Sequence, residues 1–156
     1  MAAGEVLVAT ARPRLLASVR RKARPETIGG LIRTSGVWDL MKARGIESTG
    51  HNVVVYWDEP GARLMTSPDG IPVDIGAEVT VPFTGDAELA CTATPGGRFI
   101  SVLHTGPYDR LGDAYDTLLA FARAEGLELA GPYWEVYGHW TEDAARLETS
   151  VCYALA

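Results

Sequence analysis

The sequence predicts an α+β fold, in which two strand–helix–strand–strand modules share one antiparallel sheet, with both helices on one face and a groove between the halves. Short runs rich in β-branched and aromatic residues predict strands. Apolar residues spaced three and four apart between Leu111 and Ala122 predict one amphipathic helix. Three residue pairs also recur at one fixed offset: Gly45 with Gly126, Gly50 with Gly131, and Tyr56 with Tyr137. The repeated element order therefore predicts an internal duplication.

The first half begins with two predicted strands and one helix. Residues 5–10 form a short apolar run, and residues 15–22 read as a strand with a basic end. Pro25-Glu26 suits the first turn of a helix, since proline and acidic residues are favoured there. The apolar stripe that follows ends at Gly45, a plausible C-cap. Glycines inside this helix, such as Gly36, each cost about 1 kcal/mol relative to alanine.

Strand patterns and turn residues predict the remaining elements. Residues 52–56 form a clear strand that residues 57–61 close, and residues 71–83 form another with prolines at its margins. Further strands are predicted over residues 89–94, 98–104, 133–137 and 147–155, and the amphipathic helix lies between Gly106-Pro107 and Gly126. The halves cover about residues 13–84 and 88–156 of a single domain, residues 1–156.

Composition restricts the classes of function. The 156 residues carry a formal net charge of −6, which weighs against a nucleic-acid partner because phosphate binding needs clustered lysine and arginine. No apolar run approaches the ~20 residues that span a bilayer, and the first residues lack a signal-peptide pattern. We therefore expect a cytoplasmic protein with no membrane partner.

No motif for a metal, a nucleotide or another cofactor is present in the sequence. The three histidines, His51, His104 and His139, lack the spacing of a zinc site. Cys91 and Cys152 lack metal-ligand spacing and are interpreted as buried thiols in a reducing compartment, although a disulfide between them stays open. No Walker loop, GxSxG elbow or GxGxxG fingerprint occurs.

Residues 131–140 contain the most informative pattern. Side chains alternate along a strand, so Tyr133, Glu135 and Tyr137 are expected on one face. An ionised carboxylate is costly to bury without a partner. Either a cation or hydrogen-bond donor meets Glu135, such as Arg98 or Arg110, or the strand is exposed there. Our hypothesis is that the partner is a ligand.

Three stretches resemble a known family. They are Pro95-Gly96-Gly97-Arg98-Phe99, His104-Thr105-Gly106-Pro107-Tyr108 with the helix after it, and Gly131-Pro132 followed by Glu135-Val136-Tyr137. On these motifs the chain resembles the GyrI-like small-molecule-binding domains, the family of the BmrR and AraC-type effector-binding domains. Gly138-His139-Trp140-Thr141 stands where the family usually has an Asp-Pro-like turn.

The resemblance implies a pocket for lipophilic, often cationic, aromatic compounds. It places the family's central acid on Glu135 and aromatic walls on Tyr137 and Tyr108. Strand alternation adds Tyr133, which shares a face with Glu135, and the internal repeat adds Tyr56, which corresponds to Tyr137. It also adds Trp38, which is predicted either to line the groove or to pack in the core.

The expected function is a stand-alone protein that binds hydrophobic, cationic or polycyclic molecules, and so senses or sequesters drugs and contributes to drug resistance. The resemblance also implies an alternative, since some GyrI-like proteins hydrolyse cyclopropanoid DNA-alkylating compounds. Here Glu135 would be the general base, and Tyr137 would donate or orient a proton. A protein partner is a third alternative, which only the diffuse acidic charge supports.

Overall fold

The computed structural model describes residues 4–23, 28–48, 50–57 and 70–156. In this part of the chain, eight strands form one antiparallel sheet, and α-helices pack on one of its faces. The strands are β1 (Leu7–Ala11), β2 (Leu15–Ala23), β3 (Asn52–Tyr56), β4 (Ile71–Glu78), β5 (Ala90–Ala93), β6 (Gly97–Thr105), β7 (Leu129–Tyr137) and β8 (Glu148–Leu155). The helices are α1 (Ile28–Thr34), α2 (Val37–Ala43) and α3 (Leu111–Glu125). The predicted α+β class is confirmed.

The order of strands reflects the predicted repeat. Across the sheet it is β1-β6-β8-β7-β3-β4-β2-β5, so β6-β8-β7 on one side mirrors β2-β4-β3 on the other. The central pair, β3 and β7, aligns Val54 with Glu135 and Tyr56 with Tyr133. The strands predicted to meet at the pseudo-two-fold axis therefore do so. The exact residue limits of the two halves stay a prediction.

The first predicted helix is wrong as one continuous element. It is two short helices, α1 and α2, which are separated at Ser35 and Gly36. Gly36 has φ 82°, a left-handed conformation that interrupts helical hydrogen bonding and that glycine adopts without steric cost. The predicted start at Pro25-Glu26 lies outside the described residues, as does most of the predicted closure over residues 57–61.

The strand limits also differ from the prediction at two places. β4 ends at Glu78 rather than near Phe83, so the segment before β5 is not strand. β7 begins at Leu129, and its register with β8 shifts between Leu129 and Tyr133. That irregularity accommodates Gly131, which has φ 124°. The Gly-Pro pair is thus a bend within β7 rather than a turn before it.

Each half of the sheet carries its own helix. α2 packs on β2 and β4, whereas α3 packs on β6 and β8, so the central strands β3 and β7 lie between them. Alternation directs Val54, Tyr56 and Tyr133 toward this helical face, where they join the main core. Trp134 points to the opposite face and packs there with Phe99. The helical face is therefore where two symmetric halves meet.

The remaining expectations concern membrane-spanning helices and the two cysteines. Among the described residues, no helix is both long enough and apolar enough to cross a bilayer. Cys152 is buried, as expected, but Cys91 is only half-buried, and both are free thiols.

We predict that the break between α1 and α2 depends on the conformation of Gly36 and not on lack of space. A Cβ at Gly36 meets nothing within 4 Å, so Gly36→Ala costs only the left-handed strain, about 1–2 kcal/mol of unfolding free energy. Gly30→Ala is the control, since Gly30 is helical and equally uncrowded, and should stabilise by about 0.5–1 kcal/mol. Urea denaturation measures both changes. Two changes of the same sign would contradict this explanation.

Candidate functional site

The carboxylate of Glu135 lies at the centre of the helical face. Its side chain is fully buried, with a relative exposure of 0%. Oε1 accepts hydrogen bonds from the hydroxyls of Tyr56, at 3.1 Å, and Tyr137, at 2.5 Å. Oε2 accepts a hydrogen bond from the hydroxyl of Tyr115 at 2.7 Å. A buried carboxylate is therefore held by three neutral donors.

The three donors reach Glu135 from three different elements. Tyr137 lies two residues farther along β7, on the same face. Tyr56 ends β3, which is paired with β7 at the centre of the sheet. Tyr115 belongs to the buried stripe of α3, between Leu111 and Leu118. The carboxylate thus connects both halves of the sheet to α3.

All six tyrosines of the sequence are joined in one group around this carboxylate. Tyr133 stacks on Tyr56 with ring centroids 5.0 Å apart, and it contacts the rings of Tyr115 and Tyr153 at 5.4 Å and 5.0 Å. Tyr108 meets Tyr137 edge-on at 5.2 Å. We call Glu135 and these rings the tyrosine cluster: Tyr56, Tyr108, Tyr115, Tyr133, Tyr137 and Tyr153.

Burial controls the ionisation of the cluster. Loss of solvent raises the pKa of Glu135, and the hydrogen bonds from Tyr137, Tyr115 and Tyr56 act in the opposite direction. Burial, followed by the charge of Glu135, raises the pKa of Tyr115 and Tyr137 well above the usual tyrosine value. These tyrosines therefore remain protonated and keep donating hydrogen bonds at neutral pH.

A second buried carboxylate shows how differently the chain treats Glu135. Asp74 is 4% exposed and accepts two hydrogen bonds from Arg20, at 2.9 Å and 3.1 Å, and one from the Trp57 indole at 2.7 Å. Among the described ion pairs, none involves Glu135. Asp74 therefore has its own cation, whereas the charge of Glu135 is met only by hydroxyl dipoles.

The arginine partners considered for Glu135 lie elsewhere. Arg110 forms an ion pair with Asp113 at 2.9 Å at the exposed start of α3. Arg98, on β6, is exposed at the surface. Within the described part of the chain, Glu135 is thus partnered by hydrogen-bond donors and not by a cation.

The other predicted site residues fall at different depths. None of the described hydrogen bonds to the carboxylate comes from Tyr133, whose ring instead contacts those of Tyr56, Tyr115 and Tyr153. Tyr108 lies on a short 3-10 helix (Tyr108–Arg110) before α3 rather than inside the helix, and it is only partly buried. Trp38 lies on α2 and is 44% exposed, away from the described ring contacts of the cluster.

Sequence reasoning missed two members of the cluster. Tyr115 falls within the apolar stripe predicted between Leu111 and Ala122, where a tyrosine that packs and one that donates a hydrogen bond have the same spacing. Tyr153 lies on β8, and its alignment with Tyr133 follows only from the sheet register. The one available signal was compositional, because six tyrosines are few enough to be tested as a group.

A shallow cavity of about 170 Å³ lies on the opposite face of the sheet. Val136, Glu148 and Ser150 are among the residues that line it, at the same end of the sheet as Tyr137. Among the described residues, no group of three or more His, Cys, Asp or Glu side chains is placed to hold a metal ion.

Comparison with known proteins agrees with this geometry. The family model described as the GyrI-like small molecule binding domain matches residues 8–155. The chain belongs to the GyrI-like family. A small-molecule-binding role therefore stands for this domain. A comparison with curated proteins found no significant match.

Solved structures with a GyrI-like shape are similar over nearly the whole chain. The C-terminal domain of EcmrR is 20% identical over 100% of this chain and 99% of its own, with a TM-score of 0.82. SAV2435, solved with tetraphenylphosphonium bound, is 9% identical over 97% of this chain and 94% of its own, with a TM-score of 0.68. A hydrolase from Listeria innocua is 9% identical over 100% and 94%, with a TM-score of 0.62. At these identities the likeness shows a common GyrI-like fold.

We predict that the burial of Glu135 makes the protein less stable as its carboxyl ionises. A glutamate has an ordinary pKa of 4.5, and burial raises it in the folded chain. Between these two values the folded state holds a proton that the unfolded state has lost, so the free energy of unfolding falls as pH rises. Glu135→Gln removes this dependence while all other titrating groups are shared.

Urea denaturation of both proteins between pH 4 and pH 8 tests this prediction. Wild type should lose stability relative to Glu135→Gln as pH rises above the ordinary value and should level off once Glu135 is ionised. A wild type that gains stability relative to Glu135→Gln would mean that the tyrosine hydrogen bonds outweigh burial.

Proposed function

We propose that this GyrI-like domain binds hydrophobic cationic or polycyclic aromatic molecules at the tyrosine cluster, where Glu135 balances the ligand's positive charge. One observation carries the proposal: a fully buried carboxylate that has three hydroxyl donors and no cation among its partners. The carboxylate of Asp74 shows that the fold supplies an arginine where a buried charge is structural.

The electrostatic argument favours a cation as the ligand. Two opposite unit charges 4 Å apart attract by about 4 kcal/mol at an effective dielectric constant of 20, before desolvation is subtracted. The desolvation of Glu135 has already occurred on folding, because its side chain is 0% exposed. A ligand cation therefore meets a carboxylate that is desolvated and held in position by hydrogen bonds.

The rings around Glu135 favour an aromatic or lipophilic cation over a small hydrated one. A cation over the face of a tyrosine ring gains about 0.5–2 kcal/mol, and flat aromatic surfaces also stack on such rings. Tyr56 and Tyr133 already stack on each other at 5.0 Å and form a planar base. The binding of tetraphenylphosphonium by SAV2435 is consistent with this ligand class.

A ligand must open the cluster in order to reach the carboxylate, since the described structure is closed over Glu135. Tyr108 is the cluster member with the clearest exposure, and its edge-on contact with Tyr137 is the outermost ring contact of the cluster. Displacement of this ring uncovers the Tyr137 hydroxyl and then Glu135. We assign Tyr108 to the entrance, and Trp38, exposed on α2, is an additional candidate contact at the surface.

We predict that tetraphenylphosphonium binds to the wild-type protein and that Glu135→Gln weakens binding at least tenfold, or about 1.4 kcal/mol. The reason is the loss of the buried negative charge with little change in shape. Isothermal titration calorimetry measures both affinities. Glu142→Gln is the matched control, because Glu142 is exposed and its replacement changes the net charge equally. Equal affinity in the wild type and Glu135→Gln would remove Glu135 from the site.

A second candidate function is hydrolysis of cyclopropanoid DNA-alkylating compounds in the same site. The observation that favours it is a carboxyl group with a raised pKa in contact with the Tyr137 hydroxyl, a pairing suited to a general base and a proton donor. Glu135 would remove a proton from a water molecule while the oxygen of that water forms a bond to a carbon of the cyclopropane ring. The ring carbon–carbon bond would break, its electron pair would take up the proton of the Tyr137 hydroxyl, and protonated Glu135 would return a proton to Tyr137.

A measurement of product formation distinguishes hydrolysis from binding alone. If the site is hydrolytic, a cyclopropane-bearing substrate should give a ring-opened product that chromatography detects, and Glu135→Gln and Tyr137→Phe should both abolish its formation. If the site only binds, the compound should be recovered intact even when it is bound tightly. Product formation that Glu135→Gln leaves unchanged would exclude this carboxylate as the base.

A further inference from the structure

Two polar side chains on the helical face have buried atoms without hydrogen-bond partners. Thr149 on β8 is 0% exposed, and its Oγ1 has no partner. Asn52 at the start of β3 is half-buried, and its Oδ1 is buried without a partner. Within the described residues, these are the two side-chain atoms in that condition. Both lie on the same sheet as Glu135.

The sheet register places both residues beside Tyr137. Thr149 pairs directly with Tyr137 across the β7–β8 ladder. Asn52 lies one position beyond the Val53–Val136 pair, which brings it next to Tyr137 on the other side. Neighbouring strands are about 4.8 Å apart, so Asn52 and Thr149 are separated by about 10 Å, with Tyr137 between them.

Both side chains face the same way as Glu135. Thr149 alternates with Val151 and Tyr153, which belong to the main core beneath the helices. Asn52 alternates with Val54 and Tyr56 in the same manner. The ring of Tyr137 leans back along β7, because its hydroxyl bonds Glu135 two residues earlier. That hydroxyl is therefore committed to Glu135 and does not serve Asn52 or Thr149.

An unpartnered hydroxyl at a fully buried position is unfavourable for folding. A buried polar group that lacks a hydrogen bond loses its hydration without compensation. A valine at position 149 would fill nearly the same space without that loss. Thr149 thus has no explanation in the packing of the domain, although it lies within reach of the proposed binding site.

We propose that Thr149 and Asn52 form a polar subsite that hydrogen-bonds an amino or hydroxyl group on the body of the bound cation. This inference rests on the proposed function, because it assumes that Glu135 holds the positive charge. The Asn52 amide oxygen accepts a hydrogen bond, and the Thr149 hydroxyl both donates and accepts. The favoured ligands are therefore polycyclic aromatic cations that carry N–H or O–H groups, and not purely hydrocarbon cations.

A pair of dyes that differ in hydrogen-bonding capacity tests the subsite. Proflavine and acridine orange are cations with the same three-ring system, but the amino groups of acridine orange are fully methylated and cannot donate. Binding is followed by the fluorescence anisotropy of each dye at neutral pH. Thr149→Val and Asn52→Leu should each weaken proflavine about fivefold, the value of one hydrogen bond, and leave acridine orange within twofold.

Two further variants make the outcomes distinguishable. Thr105→Val is the control for the threonine change, since Thr105 is exposed on the opposite face of β6, and it should affect neither dye. Thr149→Val should also raise Tm, because it removes a buried hydroxyl without a partner, so weaker binding cannot be attributed to unfolding. Glu135→Gln should weaken both dyes at least tenfold.

The results separate failure of the subsite from failure of the proposed function. If wild type binds both dyes and Thr149→Val and Asn52→Leu change them equally or not at all, the subsite is wrong while the binding function stands. If wild type binds neither dye, or Glu135→Gln binds both as wild type does, the proposed function fails, and the subsite fails with it.

Discussion

The structure depends on one constraint: a carboxylate in the middle of a core must be neutralised or satisfied there. Glu135 is satisfied by three tyrosine hydroxyls that come from β3, β7 and α3. These bonds offset part of the cost of burial, but they do not supply a positive charge. The same arrangement that lets the domain fold therefore leaves this buried carboxylate without a cation among its described partners.

The symmetry of the sheet explains why the carboxylate lies where it does. The mirrored strand order brings β3 and β7 together at the centre, and the helices of the two halves pack on either side. Both halves border the helical face over this central pair. Stacked tyrosines occupy it, with Tyr133 as their base. The opposite face has Asp74, whose charge an arginine already balances.

Much of this can be predicted from the sequence, because period-two alternation and the glycines repeated at a fixed offset are both readable without the structure. They placed residues 52–56 beside residues 133–137 and put Tyr133, Glu135 and Tyr137 on one face. The remainder depends on distant contacts. Tyr115 has the spacing of any buried helical residue, and only the packing of α3 on the sheet reveals its bond to Glu135. The break at Gly36 likewise depends on a backbone φ angle that no local pattern specifies. The lack of hydrogen-bond partners at Asn52 and Thr149 depends on which side chains surround them in the folded sheet.

The most direct test of this account is a crystal structure of the protein with tetraphenylphosphonium bound. We predict that the phosphonium centre lies on the helical face between the two halves, nearest to Glu135, and within about 6 Å of the centroid of at least one tyrosine ring. We also predict that Tyr108 moves away from Tyr137 to admit the ligand. A cation bound elsewhere, with the three hydroxyl bonds to Glu135 and the closed cluster unchanged, would contradict the central claim that this carboxylate is the binding group.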